Sequence, residues 1–223
     1  MTDLITRRSV LVKAGGFVAA LGAAGRWRFG SAGEAQAAPV ACVLTPEMTE
    51  GPYYISGEKL RRNITDGRPG APLSLKLRVV DATTCRPIKN AAVDIWHADA
   101  GGVYSGFGSG ASSRTFMRGI QKTDANGVAT FQTVYPGWYM GRTVHIHVKV
   151  HVGGDVVHTG QLFFADSVTD AVYKKTPYSS RPNRDVRNTQ DNIYLDGGAR
   201  SLLKVKKNSS GVYVATITMG VRR

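Results

Sequence analysis

The sequence predicts an all-β fold: an antiparallel β-sandwich with long loops and at most short helices. Segments in which apolar and polar residues alternate recur along the chain, as is typical of strands with one buried face. Clusters of turn residues such as 124–127 and 208–211 separate these segments, and few stretches show helical periodicity. With 223 residues, 42% of them hydrophobic, the chain can bury one substantial core.

The start of the chain resembles an export signal. Paired arginines, Arg7 and Arg8, precede an apolar stretch rich in glycine and alanine at 14–25. We therefore expect a twin-arginine signal over residues 1–37 and a folded domain over residues 38–223, placed in the periplasm or outside the cell. A permanent membrane anchor is the alternative, but the stretch is shorter than the ~20 apolar residues of a good span.

The segment after this leader, residues 38–72, is rich in proline, glycine and threonine and is predicted to be an irregular arm. A short helix is expected at 168–175 and a long polar loop at 176–198. The alternating segments predict strands at 73–80, 92–97, 128–134, 144–152, 161–164, 202–206 and 212–219.

The formal net charge of +13 makes the chain strongly basic. Such a surface could attract anionic aromatics, acidic polymers or nucleic acid. The basic residues are scattered except at 174–187 and 204–207, and export argues against nucleic acid, so we expect no nucleic-acid partner.

The two cysteines, Cys42 and Cys85, are far apart and belong to no C-x-x-C pattern. An oxidising compartment favours a disulfide between them. Two separate buried thiols are the alternative.

Two histidines on one predicted strand are candidate metal ligands. His145 and His147 lie two residues apart, so their imidazoles share one face and are near enough to bind one ion. A Pro-Gly turn just upstream would present Tyr139 and Arg142 beside them. Neutral imidazoles with anionic phenolates suit trivalent iron better than zinc. The segment 135–149 has no carboxylate of the kind that a ferrous facial triad needs.

Three sequence blocks together make the chain resemble a known family. They are TPEMTEGPYY at 45–54, VDIWHADAGGVYSG at 93–106 and PGWYMGRTVHIH at 136–147. In this order they resemble the intradiol ring-cleavage dioxygenases, the family of catechol 1,2-dioxygenase and protocatechuate 3,4-dioxygenase. The chain is most similar to the exported, single-domain branch of that family.

The resemblance implies a mononuclear non-haem Fe(III) centre. Its ligands would be Tyr104, Tyr139, His145 and His147. His151 lies on the same face as the histidine pair but does not fit the family pattern, and we interpret it as a solvated or packing residue. Trp96 is expected in the core.

The resemblance also assigns roles around the metal. Arg142 would stabilise negative charge that builds on the substrate ring, and Tyr139 would also accept a proton from the arriving diol. Gln161 would lie beside the iron site. Pro52 and Tyr53 would approach the substrate, with Tyr54 an equal candidate.

The activity implied is cleavage of a catechol-type ring between its two hydroxylated carbons, with O2, to a muconate-type diacid. The expected partners are that aromatic substrate, O2 and the twin-arginine machinery. The short arm replaces the helical dimerising region of the intracellular enzymes, so the oligomeric state stays open. The link from Tyr139 to His145 is also shorter than in many members, which leaves the substrate open.

Two alternatives remain at this point. One is a non-catalytic β-sandwich binding module of the cell envelope, with Trp27, Trp96 or Trp138 as its contact residue. The other keeps the iron site but assigns extradiol cleavage or hydroxylation.

Overall fold

The computed structural model describes residues 42–108 and 110–223. The predicted export signal over residues 1–37 lies outside the described residues and stays a prediction. Within the described part, none of the helices combines the length and apolar character needed to cross a membrane.

Within the described residues, eight strands form two four-stranded sheets. The first sheet has the order β4-β1-β8-β7 and the second has the order β3-β2-β5-β6. The strands are β1 Pro72–Asp81, β2 Ala92–Trp96, β3 Arg118–Lys122, β4 Val128–Val134, β5 His145–Val152, β6 Asp155–Phe163, β7 Lys204–Lys207 and β8 Tyr213–Val221. The predicted β-sandwich is confirmed, with one difference: β1 and β8 pair in parallel.

The helices are short, as predicted. They are α1 Asp166–Tyr173, α2 Asn192–Leu195 and three 3-10 turns, at Tyr178–Ser180, Asn188–Gln190 and Gly198–Ser201. Most of these turns fall within the segment predicted to be a loop. They bring Asp191, at the start of α2, back to the second sheet.

Strand β3 was not predicted from the sequence. Its five residues, RGIQK, contain a single large apolar side chain, so no alternation marks it. The strand forms because it pairs with β2 along its whole length. Gly119 also lets Ile64 pack closely, since a Cβ there would lie 2.7 Å from Ile64 Cγ2.

The core lies between the two sheets. Alternate residues of β1, β2 and β5 are fully buried there: Leu73, Leu75, Leu77, Val79, Val93, Ile95, Ile146, Val148 and Val150. Burial of each such side chain contributes about 1.5–3 kcal/mol, which fixes which face of β5 points outward. That outward face carries the two histidines.

The N-terminal arm covers the outer face of the second sheet. Among its described residues it has isolated bridges but no helix or strand, as predicted. Met48 N donates to Thr159 O on β6 at 2.9 Å, and Lys59 O accepts from Ile120 N on β3 at 2.9 Å. The favoured disulfide is confirmed, since Cys42 is bonded to Cys85 in the turn after β1. The arm is thereby held at its start and along its length.

Candidate functional site

The first residues of β5 bring two imidazole nitrogens together. His145 Nε2 and His147 Nε2 lie 3.0 Å apart, and both side chains are buried. His145 Nδ1 lies 2.7 Å from the Thr143 carbonyl oxygen, so the ring donates from Nδ1 and keeps the lone pair on Nε2. Burial, with the positive charge of Arg142, lowers the pKa of His145 to about 3. The imidazole is therefore neutral at physiological pH.

Two tyrosines complete the group. The Tyr139 hydroxyl lies 3.3 Å from His145 Nε2, and the Tyr104 ring is 6.2 Å from the His147 ring and 5.6 Å from the Tyr139 ring. The Tyr104 hydroxyl is buried near the Tyr139 hydroxyl and makes no hydrogen bond of full geometry. Tyr104 reaches this position because it follows a turn at Gly101 and Gly102 that closes on Asp99. The four predicted ligands therefore lie together.

These four donors fit a metal ion of high charge. The described part of the chain has no cluster of three or more His, Cys, Asp or Glu side chains that could hold a metal ion, and the donors that meet here are two imidazoles and two phenols. Burial raises the pKa of Tyr104 and of Tyr139, although Arg142 opposes the shift at Tyr139. A bound multivalent cation would favour the phenolate form and would give the poorly satisfied Tyr104 oxygen a partner.

Packing holds the histidines in place. The Trp96 indole stacks on the His147 ring at 4.9 Å between centroids, with 7° between the planes. On another side the arm passes at Gly51, where a Cβ would lie 3.2 Å from His147 Cε1. Trp96 is 1% exposed, so it is a core residue, as expected. It is also a wall of the site.

Arg142 is fixed beside the group by two partners. Its Nε donates to Asp191 Oδ2 at 2.8 Å, and its Nη2 donates to Gln161 Oε1 at 2.6 Å. Gln161 is the register partner of His147 on β6, and its Nε2 donates to Thr49 O at 2.9 Å. The guanidinium thus has a set position next to Tyr139.

Asp191 was not singled out from the sequence. Its carboxylate accepts from Arg142 Nε and from Thr143 N, both at 2.8 Å, and from Ile193 N and Tyr194 N as the N-cap of α2. These bonds lower its pKa despite its burial. A weak sequence signal existed, since aspartate is among the residues favoured at an N-cap. No local sequence pattern predicts the pairing of Asp191 with Arg142.

An aromatic pocket of about 270 Å³ opens beside the tyrosines. Tyr53 stacks on Tyr104 at 4.3 Å and meets Tyr139 and Phe107 edge-on. The lining residues, Tyr53, Gly102, Val103, Tyr104, Phe107, Gly108 and Tyr139, are all uncharged. A flat ring of the size of a benzene derivative is the kind of ligand that such walls suit.

The other predicted residues lie outside this pocket. Pro52 is exposed. Tyr54 points toward Trp96 and the Lys149 ammonium, which lies 3.9 Å from its ring centre. His151 lies farther along β5, beyond a register shift, and lines a different cavity.

Comparisons with known proteins agree with this geometry. Residues 49–176 match the family model described as Dioxygenase. A solved intradiol ring-cleavage dioxygenase from Tetranychus urticae is 37% identical, with a TM-score of 0.78, over 81% of this chain and 95% of that one. The chain belongs to the intradiol ring-cleavage dioxygenases.

More distant members share parts of the same domain. Catechol 1,2-dioxygenase 2 of Acinetobacter lwoffii is 35% identical over 99 residues, which is 43% of this chain and 35% of that enzyme. The match thus spans about a third of the length of that relative. The fold, with a TM-score of 0.60, is shared with 3-chlorocatechol 1,2-dioxygenase from Rhodococcus opacus 1CP, which is 23% identical over 80% of this chain and 73% of that one.

Proposed function

We propose that this intradiol dioxygenase is a mononuclear non-haem Fe(III) enzyme. It would cleave a catechol-type ring between the two hydroxylated carbons with O2, to a muconate-type diacid. The observation that carries the proposal is the meeting of Tyr104, Tyr139, His145 and His147 beside an aromatic pocket. Hard phenolate oxygens with neutral imidazoles favour ferric iron.

Bound Fe(III) would act as a Lewis acid and as a template for the diol and O2. The protein supplies the rest of the site. The Tyr53 ring, which stacks on Tyr104, and the Phe107 ring offer flat apolar surfaces that would orient a planar substrate.

Two side chains act on charge and protons. Tyr139, near both His145 and Arg142, is the group placed to take a proton from the diol as it binds. Arg142, held by Asp191 and Gln161, offers a fixed positive charge to the anionic ring. Because its partners already fix the guanidinium, little reorganisation is needed when that charge develops.

The binding-module alternative is not favoured. Trp96 is buried against His147, and Trp138 uses its indole N–H to donate to Arg181 O at 2.8 Å. Neither residue is free as a flat contact surface. Trp27 lies outside the described residues.

Visible spectroscopy tests the metal assignment. Iron-loaded protein should show a phenolate-to-ferric band that shifts with catechol in the absence of O2, and Tyr139→Phe should weaken it. Iron-containing but colourless protein would exclude tyrosinate ligation. Product analysis tests the reaction: a diacid supports intradiol cleavage, whereas a coloured aldehyde acid would show extradiol cleavage.

We also propose export by the twin-arginine route. Paired Arg7 and Arg8 support it, and a disulfide suits an oxidising compartment. Replacement of both arginines by lysine should retain the protein in the cytoplasm, as measured by cell fractionation. Unchanged export of that variant would contradict the proposal.

A further inference from the structure

The outward face of the first sheet forms a basic trough. Lys76 and Arg78 project from β1, and Lys204 and Lys206 project from β7. Strand β8 lies between them, with short outward side chains: Val214, Thr216 and Thr218. Thr216 is the register partner of both Lys76 and Lys204. These two lysines therefore flank β8 at a backbone separation of about 10 Å, two strand spacings.

The trough is concave and has no acidic lining. Its volume is about 520 Å³, and Arg200 closes one side. None of its lining residues is an aspartate or glutamate. Within residues 42–108 and 110–223, no salt bridge includes any of the five cations: Lys76, Arg78, Arg200, Lys204 and Lys206. Their charges are available to an external anion.

We propose that this trough binds an extended acidic polysaccharide, such as a polyuronate. A chain lying along β8 would present repeated carboxylates to cations on both sides. Its hydroxyl groups would meet the hydroxyls of Thr216 and Thr218 on the floor. The trough is on the opposite face of the sandwich from the histidines of β5, so a bound polymer would leave the aromatic pocket open.

The lining chemistry disfavours two other polyanionic partners. Single-stranded nucleic acid is usually held by aromatic side chains that stack on bases, and no lining residue is aromatic. Membrane-surface binding uses large apolar side chains beside the cations. The apolar residues that line the trough, Val128, Leu202 and Ile217, are only partly exposed, and none of the exposed large apolar residues of the described chain lines it.

Binding of the full chain to polygalacturonate at low salt tests the inference. The triple variant Lys76→Gln/Arg78→Gln/Lys204→Gln should bind roughly 100-fold more weakly, because it removes three of the cations that line the trough. The control Lys59→Gln/Lys89→Gln/Arg114→Gln loses the same charge at exposed positions elsewhere and should bind within about threefold of wild type, since distant exposed charges are screened.

The other outcomes would overturn the inference. Equal weakening in both variants would show that net charge alone attracts the polymer. Equally tight binding to a neutral polysaccharide would show that the charges of the trough do not determine its affinity for the polymer. Tighter binding to duplex DNA or to anionic lipid vesicles, lost in the same triple variant, would assign the trough to another partner. None of these measurements depends on the proposed ring cleavage.

Discussion

At the scale of single residues, the Tyr104 hydroxyl belongs to the chemistry of the site but is poorly satisfied in the metal-free fold. It is buried, faces the Tyr139 hydroxyl and makes no hydrogen bond of full geometry. In the metal-free protein, Tyr104→Phe should therefore raise the free energy of unfolding by about 1 kcal/mol, because it removes a poorly satisfied buried polar group. The same change should abolish most of the ring-cleavage activity. Tyr135→Phe is the control: Tyr135 bonds Thr169 Oγ1 at 2.8 Å, so its loss should destabilise the fold. Denaturant titration of the metal-free protein compares the two variants. Destabilisation by Tyr104→Phe would show that the Tyr104 hydroxyl stabilises the metal-free fold.

Asp191 acts on the reaction through Arg142. Asp191→Asn removes the charge that holds the guanidinium, while the amide oxygen can still accept from the backbone of α2. We expect kcat for catechol to fall about 10–100-fold, the range seen when groups that orient a metal site are changed, with a smaller effect on KM. Asp170→Asn, which breaks an ion pair with Arg184 and Arg187 far from the pocket, should leave kcat unchanged. Equal losses in the two variants would mean that Asp191 is only structural.

The buried carboxyl group of Asp94 should make the free energy of unfolding depend on pH. It is buried, and burial with the nearby charge of Glu58 raises its pKa to about 7, although the Tyr54 hydroxyl opposes the shift. The folded state therefore holds a proton that the unfolded state releases near its usual pKa, so this group lowers stability as pH rises from about 4 to 7. Asp94→Asn should stabilise the protein at pH 8 and change it little at pH 4. Chemical denaturation at both values checks this, and a larger gain at pH 4 would contradict it.

At the scale of elements, the N-terminal arm shapes the metal site through one glycine. Gly51 has φ +70°, and a Cβ there would press on His147 at 3.2 Å. Gly51→Ala should cost about 1–2 kcal/mol of backbone strain and should also weaken metal binding, because the His147 ring must shift. Gly57→Ala is matched in backbone, with φ +76° and nothing within 4 Å. Gly57→Ala should therefore lower the free energy of unfolding through backbone strain without weakening metal binding. Iron titration of both variants separates the two effects, and equal affinities would exclude the contact.

The sequence predicted those elements whose own residues carry a pattern. Strand β5 alternates throughout, and β4 matched at both ends, because one face of each packs in the core. Strand β3 was missed since it owes its existence to pairing with β2. The two tyrosines and two histidines of the site were predicted from the resemblance of three sequence blocks to a known family. Asp191 and Gly51 were not, because their roles arise from contacts between distant segments that no local pattern records.

At the scale of the whole molecule, the two sheets separate two kinds of chemistry. The outer face of the second sheet, under the arm, carries the histidines and the aromatic pocket. The outer face of the first sheet carries the basic trough. Because the two faces lie on opposite sides of the core, about 10 Å or more apart, the effects of trough and pocket variants should add.

The disulfide is the covalent link between the arm and the first sheet. Its cysteines are 43 residues apart, so Cys42→Ser/Cys85→Ser should cost about 4 kcal/mol of stability on the chain-entropy estimate. For a domain of this size that corresponds to a fall in Tm of roughly 8–16 °C. Differential scanning calorimetry with and without reductant measures it, and the reductant should have no effect on the double variant. An unchanged Tm would show that the disulfide does not stabilise the domain.

Loss of the disulfide should disturb the candidate site at temperatures lower than those that unfold the domain. Beyond Cys42 the arm is held to the second sheet by backbone bonds such as Met48 N to Thr159 O, and it carries Gly51 and Tyr53 against His147 and Tyr104. Local opening costs less than global unfolding, and the freed arm end is the segment with least support. We therefore expect the double cysteine variant to show faster amide exchange at residues 45–54 and a raised KM for catechol at temperatures where the sheets stay protected. Exchange that rises uniformly across both sheets would instead show that the arm and the sandwich unfold as one unit.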